Sequence, residues 1–332
     1  MSSSTRSRFT TLFRCLIASI GLFAALFAQP AAAQQYPEKP IRWIVPYGAG
    51  GASDIVARLM GEQIGKELGQ QIIVENRPGA GGTIGTAALV NAQANGYTVA
   101  TADNSTLFNN WHLFNKLNYG PESFEYVATT GHLPLVLIVH ESVPVKNYED
   151  WVKWVKQKPG NVSYGSAGVG SPHHIAMATL SDMEGAQMQH IPYRGDAAVI
   201  VDLVGGQIPT ALVGVASVAP YMSDPRIRLI AVTWPSRLSS MPDVPTFEEL
   251  GVKNFNGSAE QGIIMPAGTP QEIVNRWNQE VAKALSIPAI LEKLETLGMY
   301  PVLSSPEEFK SYTLERSKQA GEIIKKNGIT LN

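Results

Sequence analysis

"VPYGAGGASDIVARL", residues 45–59, decides how the chain is read. An apolar run ends at Pro46, four small residues follow Tyr47, and a helical pattern starts within a few residues. Such a junction leaves backbone N–H groups unpaired at a helix start, where the aligned peptide dipoles carry roughly half a positive charge. Glycine lets a ligand approach that backbone closely. The physics suits a carboxylate or a phosphate. No lysine follows the glycines. Neutral helix ends hold an anion at modest strength, without the charge-assisted pairs that arginine forms, and so allow release.

Two later stretches repeat the junction: "NRPGAGGTIG" at 76–85 and "SYGSAGVGSPHH" at 163–174. In the third, Ser171 is placed to cap a helix and Pro172 to take its first position. No Lys-Ser or Lys-Thr stands at Walker spacing, and the glycines do not complete a dinucleotide fingerprint. One such turn alone also fits a plain tight connection. Three in one chain favour anion binding.

The 332 residues suffice for one large domain or two modest ones. The first 33 combine Arg6, Arg8 and Arg14, an apolar run at 15–28 and Ala31-Ala32-Ala33. They read as a secretory signal peptide cleaved after Ala33. The run is shorter than the ~20 residues of a membrane span. Cleavage leaves 23 Lys+Arg against 28 Asp+Glu, a formal charge of −5, and removes Cys15, the only cysteine. The chain is expected in the periplasm, without disulfides. Its acidity argues against nucleic acid as partner.

Apolar runs at 41–45, 72–74, 97–102, 126–129, 135–139, 162–164, 189–192, 210–213, 229–233 and 262–265 read as strands. Helical patterns at 55–68, 85–92, 148–158, 173–181, 197–204 and 218–222 alternate with them, which is the α/β signature. Thr269-Pro270 with Glu272, and Ser305-Pro306 with Glu308, read as helix starts with capping boxes near the C-terminus. The chain is expected to cross between domains near 140–144 and 258–262. That gives a first domain of 34–140 plus 262–332, with 141–261 inserted as a second. Ligand clefts form between domains so arranged.

On the stretches "YPEKPIRWIVPYGAGGASD", "VENRPGAGGTIG", "VSYGSAGVGSPHHIA", "HIPYRG", "DLVGGQI", "IAVTWPSRLSSMPDVPTFEELG" and "MPAGTP", the chain resembles the Bug-type periplasmic solute-binding proteins of tripartite tricarboxylate transporters. The likeness runs from residue 36 to the C-terminal helices. It implies an α/β, two-domain periplasmic-binding-protein (Venus-flytrap) fold, each domain a mixed sheet flanked by helices. It implies a small mono- or dicarboxylate held between the domains, mostly by backbone amides and water. It also implies membrane permease subunits as partners, a monomer, no catalysis, no cofactor and no metal. Carried over by position, the pocket takes Tyr47, Gly48, Ala49, Gly50, Gly51 and Ser53 from the first turn, and Gly81, Gly82 and Thr83 from the second. Asn104, Ser105 and Thr106 follow the next strand. Ser166, Ala167, Val169, Ser171 and His173 come from the third turn, with Tyr193, Arg194, Gly195, Asp196 and Gly214 beside them. Val213 and Gly214 stand where the family often has Asp-Asn. Glu260 replaces a bulky aromatic residue and Asp103 a small one, so the mouth is expected to gain acids.

Several readings stay open. Glu260 and Asp103 either meet a donor on the ligand or lie solvated at a rim. Arg194 either reaches a second carboxylate or pairs with Asp196. Trp111 is a candidate for ligand stacking. His173 and His174 point about 100° apart on a helix, which disfavours a shared metal ion. Ser53 and Ser166 lack the glycine pattern of a nucleophile elbow, which disfavours a hydrolase. A sensor that presents its closed form to a membrane kinase remains an alternative to transport.

Overall fold

The apolar runs pair into two mixed sheets. A computed structural model describes residues 36–331; the segment read as a signal peptide lies outside them. The first sheet contains β1 (Ile41–Val45), β2 (Ile72–Asn76), β3 (Thr98–Asp103), β4 (Phe124–Leu133), β10 (Ala259–Pro266) and β11 (Tyr300–Pro301), in the order β11-β4-β10-β3-β1-β2. The second contains β5 (Leu135–His140), β6 (Val162–Ser166), β7 (Met188–Pro192), β8 (Thr210–Gly214) and β9 (Ile227–Val232), in the order β7-β6-β8-β5-β9. In each sheet the parallel pairs lie toward one edge: β2-β1-β3 in the first and β7-β6-β8 in the second. The remaining pairs are antiparallel.

Eight helices of eight or more residues flank these sheets among the described residues. They are α1 (Ala52–Leu68), α2 (Thr83–Val90), α3 (Tyr148–Lys156), α4 (Pro172–Met183), α5 (Asp196–Val204), α6 (Gln271–Ala284), α7 (Pro288–Thr296) and α8 (Pro306–Lys326). Side chains alternate across a strand, so a central strand that is apolar throughout must be covered on both faces. Strand β5 shows this. Leu135, Leu137 and Val139 enter a core with Trp151 and Met177, whereas Val136 and Ile138 enter another with Val199 and Leu203. On one face of the first sheet Trp43 meets Trp277 of α6 edge-on, with ring centroids 5.8 Å apart. On the other, Tyr126 and Ile264 pack with Phe309 and Ile324 of α8.

Sheet membership changes at Pro134, between β4 and β5, and again across residues 233–258. The first change comes six residues before the expected boundary at 140, because 135–140 is itself a strand of the second sheet. Residues 259–261 belong to the first sheet, through β10. The two crossings are bonded to each other. Leu135 N–H donates to Thr233 Oγ1 at 2.8 Å, Thr233 N–H returns to Leu135 O at 2.9 Å, and Ser258 Oγ donates to Thr233 O at 2.8 Å. The helix starts near the C-terminus differ in outcome. Ser305 and Glu308 form the expected reciprocal capping box. Thr269 does not cap; its hydroxyl donates to Pro266 O at 2.8 Å, and α6 starts after Pro270 with no side-chain cap.

Trp277 is fully buried. Replacing it with alanine is expected to destabilise the protein by about 3–5 kcal/mol, the usual range for a large aromatic in a packed core. Urea unfolding checks this, and an unchanged midpoint would contradict the packing.

Candidate functional site

Turns at the carboxyl ends of β1, β2 and β6 form the candidate site. In the first, Gly48, Ala49, Gly50 and Gly51 are exposed. Gly50 N–H is used internally: it donates to Asp54 Oδ2 at 2.9 Å. Asp54 is also held by Arg58 and by Asn76 Nδ2, and these bonds, Arg58 foremost, lower its pKa to about 2. The N–H groups of Gly48, Ala49 and Gly51 have no partner among the described residues. They remain available at the start of the 17-residue helix α1.

The second turn sits against the first. A Cβ on Gly85 would stand 2.8 Å from the Cα of Pro46, so only glycine permits this approach. Tyr47 spans the two turns. Its hydroxyl donates to Asp103 Oδ2 at 2.5 Å, and its carbonyl accepts from Asn76 Nδ2 at 3.1 Å. Asp103 Oδ1 accepts from Thr106 N–H at 3.1 Å. Burial raises the Asp103 pKa, and the bonds from Tyr47 and Thr106 oppose the shift. Ser53 Oγ accepts from Gln261 Nε2 at 2.7 Å, which ties the first turn of α1 to β10.

The third turn rests on two imidazoles. His174 and His190 stack with centroids 3.5 Å apart. His174 Nδ1 accepts from Gly170 N–H at 3.1 Å. Ser166 Oγ lies 2.6 Å from His190 Nε2 and donates to Gly168 O at 3.0 Å. Ser171 caps α4 through His174 N–H, as expected. Beside this turn, His173 Nε2 lies 3.1 Å from Asp196 Oδ1, and Asp196 Oδ2 accepts from Gly214 N–H at 2.8 Å. Burial raises the Asp196 pKa, but His173 and Gly214 outweigh it and leave it below the usual value.

Two adjacent asparagines join the turns across the sheets. Asn110 Nδ2 donates to Gly81 O at 2.9 Å, and Asn109 Nδ2 donates to Gly170 O at 3.0 Å. Gly170 has φ +73°, a conformation that L side chains rarely adopt, so a substitution there is strained. All three turns therefore belong to one connected cluster.

Some expected site residues are spent inside the fold. Asn104, 3% exposed, donates to Ser258 O at 3.2 Å and accepts from Glu260 N–H at 2.6 Å, so it pins a crossing. Glu260, 2% exposed, accepts from Tyr312 at 2.7 Å and lies 3.5 Å from Arg316. The expectation of new acids at the mouth fails for it, because a buried carboxylate needs such partners. Asp103 is bonded to Tyr47 and is not solvated at a rim. Thr106 and Ser166 are fully buried. The Tyr193 hydroxyl turns to Asp202 at 2.8 Å. Asp196 pairs with His173 in place of Arg194, which is exposed and unpaired among the described residues. Trp111 packs on the core cluster around Phe108. Gln261, Asn109, Asn110 and His190 were not anticipated; only the Asn-Asn pair after "STLF" offered a local signal.

Two mixed sheets flanked by helices, with glycine turns at strand ends linked through Asn109 and Asn110, fit a two-domain solute-binding protein. Residues 56–329 match the family described as "Tripartite tricarboxylate transporter family receptor", and the chain belongs to that family. It is 30% identical to protein BugT of Bordetella pertussis over 320 residues, 95% of this chain and 98% of that protein. A Rhodopseudomonas palustris protein solved with adipate superposes with a TM-score of 0.76 at 27% identity, over 89% of this chain and 99% of that one. MatC of the same organism, solved with malate, gives 0.72 at 27% identity, over 87% and 100%.

Burial holds both stacked imidazoles neutral. His174 is pushed down to about 3, with His190 adding to the effect, and His190 to about 4. An unfolded histidine titrates near ~6.5. Between pH 6.5 and 4 the unfolded chain thus binds protons that the folded one refuses, and stability is lost as pH falls through that window. Urea midpoints should decline from pH 7 to pH 4.5, and His190→Gln should flatten the decline. A slope unaltered by that substitution would contradict the arrangement.

Proposed function

We propose that the protein is a periplasmic receptor that closes two domains over a small organic carboxylate and delivers it to the permease subunits of a tripartite tricarboxylate-type transporter. The observation that carries this reading is the cluster of glycine turns. Exposed, unpaired N–H groups at a helix start form a neutral donor set suited to one carboxylate; Pro46 and Tyr47 seat that turn against the second, and Asn110 and Asn109 link the second to the third. The adipate and malate held by the two R. palustris relatives support this ligand class. One lobe comprises the first sheet with α1, α2, α6, α7 and α8, and the other the second sheet with α3, α4 and α5. Export through the segment at 1–33, a monomeric state and the lack of catalysis follow from the same reading.

Carboxylate ligands such as malate and adipate are expected to raise the thermal midpoint in a concentration-dependent way. A ligand at ~100 times its Kd adds about 2.7 kcal/mol. A screen of mono- and dicarboxylates with no stabilising member would overturn the proposal. Exposed Arg194 flanks α5 and is assigned to a second carboxylate. Arg194→Gln should weaken dicarboxylates by about tenfold, the scale of one charge-assisted hydrogen bond, and leave monocarboxylates unchanged. Calorimetry reads both, and equal losses would remove Arg194 from that role.

A further inference from the structure

A separate groove shares no lining residue with the glycine turns, although the inner space beyond it is lined by Asn109 and by Pro172 of the third turn. The groove encloses about 740 Å³ against both crossings, within the size range of small-molecule sites. One wall comes from the first lobe, through His132, Val302, Tyr312 and Arg316. The other comes from residues 232–235 and 247–258. Aromatic rings run along it in series. Trp234 lies 4.9 Å from Tyr300 and 6.0 Å from His132, and His132 lies 6.2 Å from Tyr312, centroid to centroid. His132 stays neutral: burial, then Arg316, push it down to about 4.

The groove leads into a smaller space of about 60 Å³, several times the ~10–15 Å³ that admits one water. Asn256, Ser258 and Arg316 line both. Two polar atoms of residues around this inner space have no hydrogen-bond partner among the described residues. One is an acceptor, Oδ1 of Asn109, whose residue is 1% exposed. The amide orientation is fixed, because Asn109 Nδ2 donates to a carbonyl that can only accept. The other is a donor, Nε of Arg316, which sits 3.5 Å from Glu260 without bonding to it. A buried polar group left unpaired costs about 1–3 kcal/mol.

We infer that this groove is a second ligand site, for a flat one-ring aromatic molecule bearing a carboxamide-like head. The ring lies along Trp234, His132 and Tyr312. The head enters the inner space, where its N–H donates to Asn109 Oδ1 and its carbonyl accepts from Arg316 Nε. Charge favours a neutral guest, since Lys253 and Arg316 are matched by Glu248 and Glu315 around the groove, with Glu260 beneath Arg316. Such a guest touches both lobes where the chain crosses between them.

Benzamide is the probe, titrated into the full protein by calorimetry. Saturable binding is expected, about tenfold weaker for N,N-dimethylbenzamide, which lacks the N–H, and for benzoate, which lacks it and adds a charge. Trp234→Ala should weaken benzamide by at least about tenfold, and Arg194→Gln, at a residue that lines neither the groove nor the inner space, should leave it unchanged. In the unaltered protein, magnetisation transfer from the benzamide ring to the Trp234 and His132 ring protons gives a reading independent of any variant. The inference is overturned by lack of saturation up to the solubility limit, by equal binding of the N,N-dimethyl compound, or by absence of transfer to those two rings.

Discussion

The Asn109–Asn110 bridge is the constraint on which the site depends. One side chain holds the second glycine turn and its neighbour holds the third, so two turns built on different sheets share one short segment of backbone. Both bonds are made to carbonyls and consume no N–H group of the turns; those of Gly48, Ala49 and Gly51 stay unpaired among the described residues. A lysine in place of either amide would supply charge but lose the fixed planar reach. The site thus keeps its donors without a permanent cation, as the glycine sequence alone suggests.

A second layer of bonds holds the crossings. Asn104 joins the end of β3 to Ser258 and Glu260, more than 150 residues further along the chain. Thr233, Leu135 and Ser258 close the loop between the two connections. Behind them, Tyr312 of α8 donates to the buried carboxylate of Glu260, and the Arg316 guanidinium stands 3.5 Å from it as counter-charge. Burial raises the Glu260 pKa while Arg316 and Tyr312 oppose the rise, and breaking such a buried pair by removing one partner is costly. The crossings are therefore defined hydrogen-bonded segments and not slack linkers. A receptor that closes and reopens can turn about such segments without losing register.

Local chemistry was readable from the sequence, and long-range pairing was not. The three turns, the alternation of strands and helices and the Ser305 cap each depend on residues within a few positions of one another. Ten of the eleven strands coincide with apolar runs, and β11 is missed because two residues carry no periodicity. Thr269 fits a cap by type, yet its hydroxyl finds the nearer carbonyl of Pro266. Glu260 and Asn104 were placed at the ligand by position. Their actual partners, Tyr312 and Ser258, are 52 and 154 residues away. The stacked imidazoles are similar: His174 lies in a recognisable helix start, but nothing near His190 announces that it supports the same turn.

Amide chemical shifts offer the most direct measurement, in a nitrogen-15-labelled sample titrated with malate or adipate. The N–H signals of Gly48, Ala49, Gly51 and Gly81 should move together and saturably, with a single apparent affinity, as they begin to donate to a carboxylate. Saturable binding that leaves those four signals in place, with shifts confined to side chains or to other parts of the chain, would show that the backbone of the glycine turns does not hold the ligand.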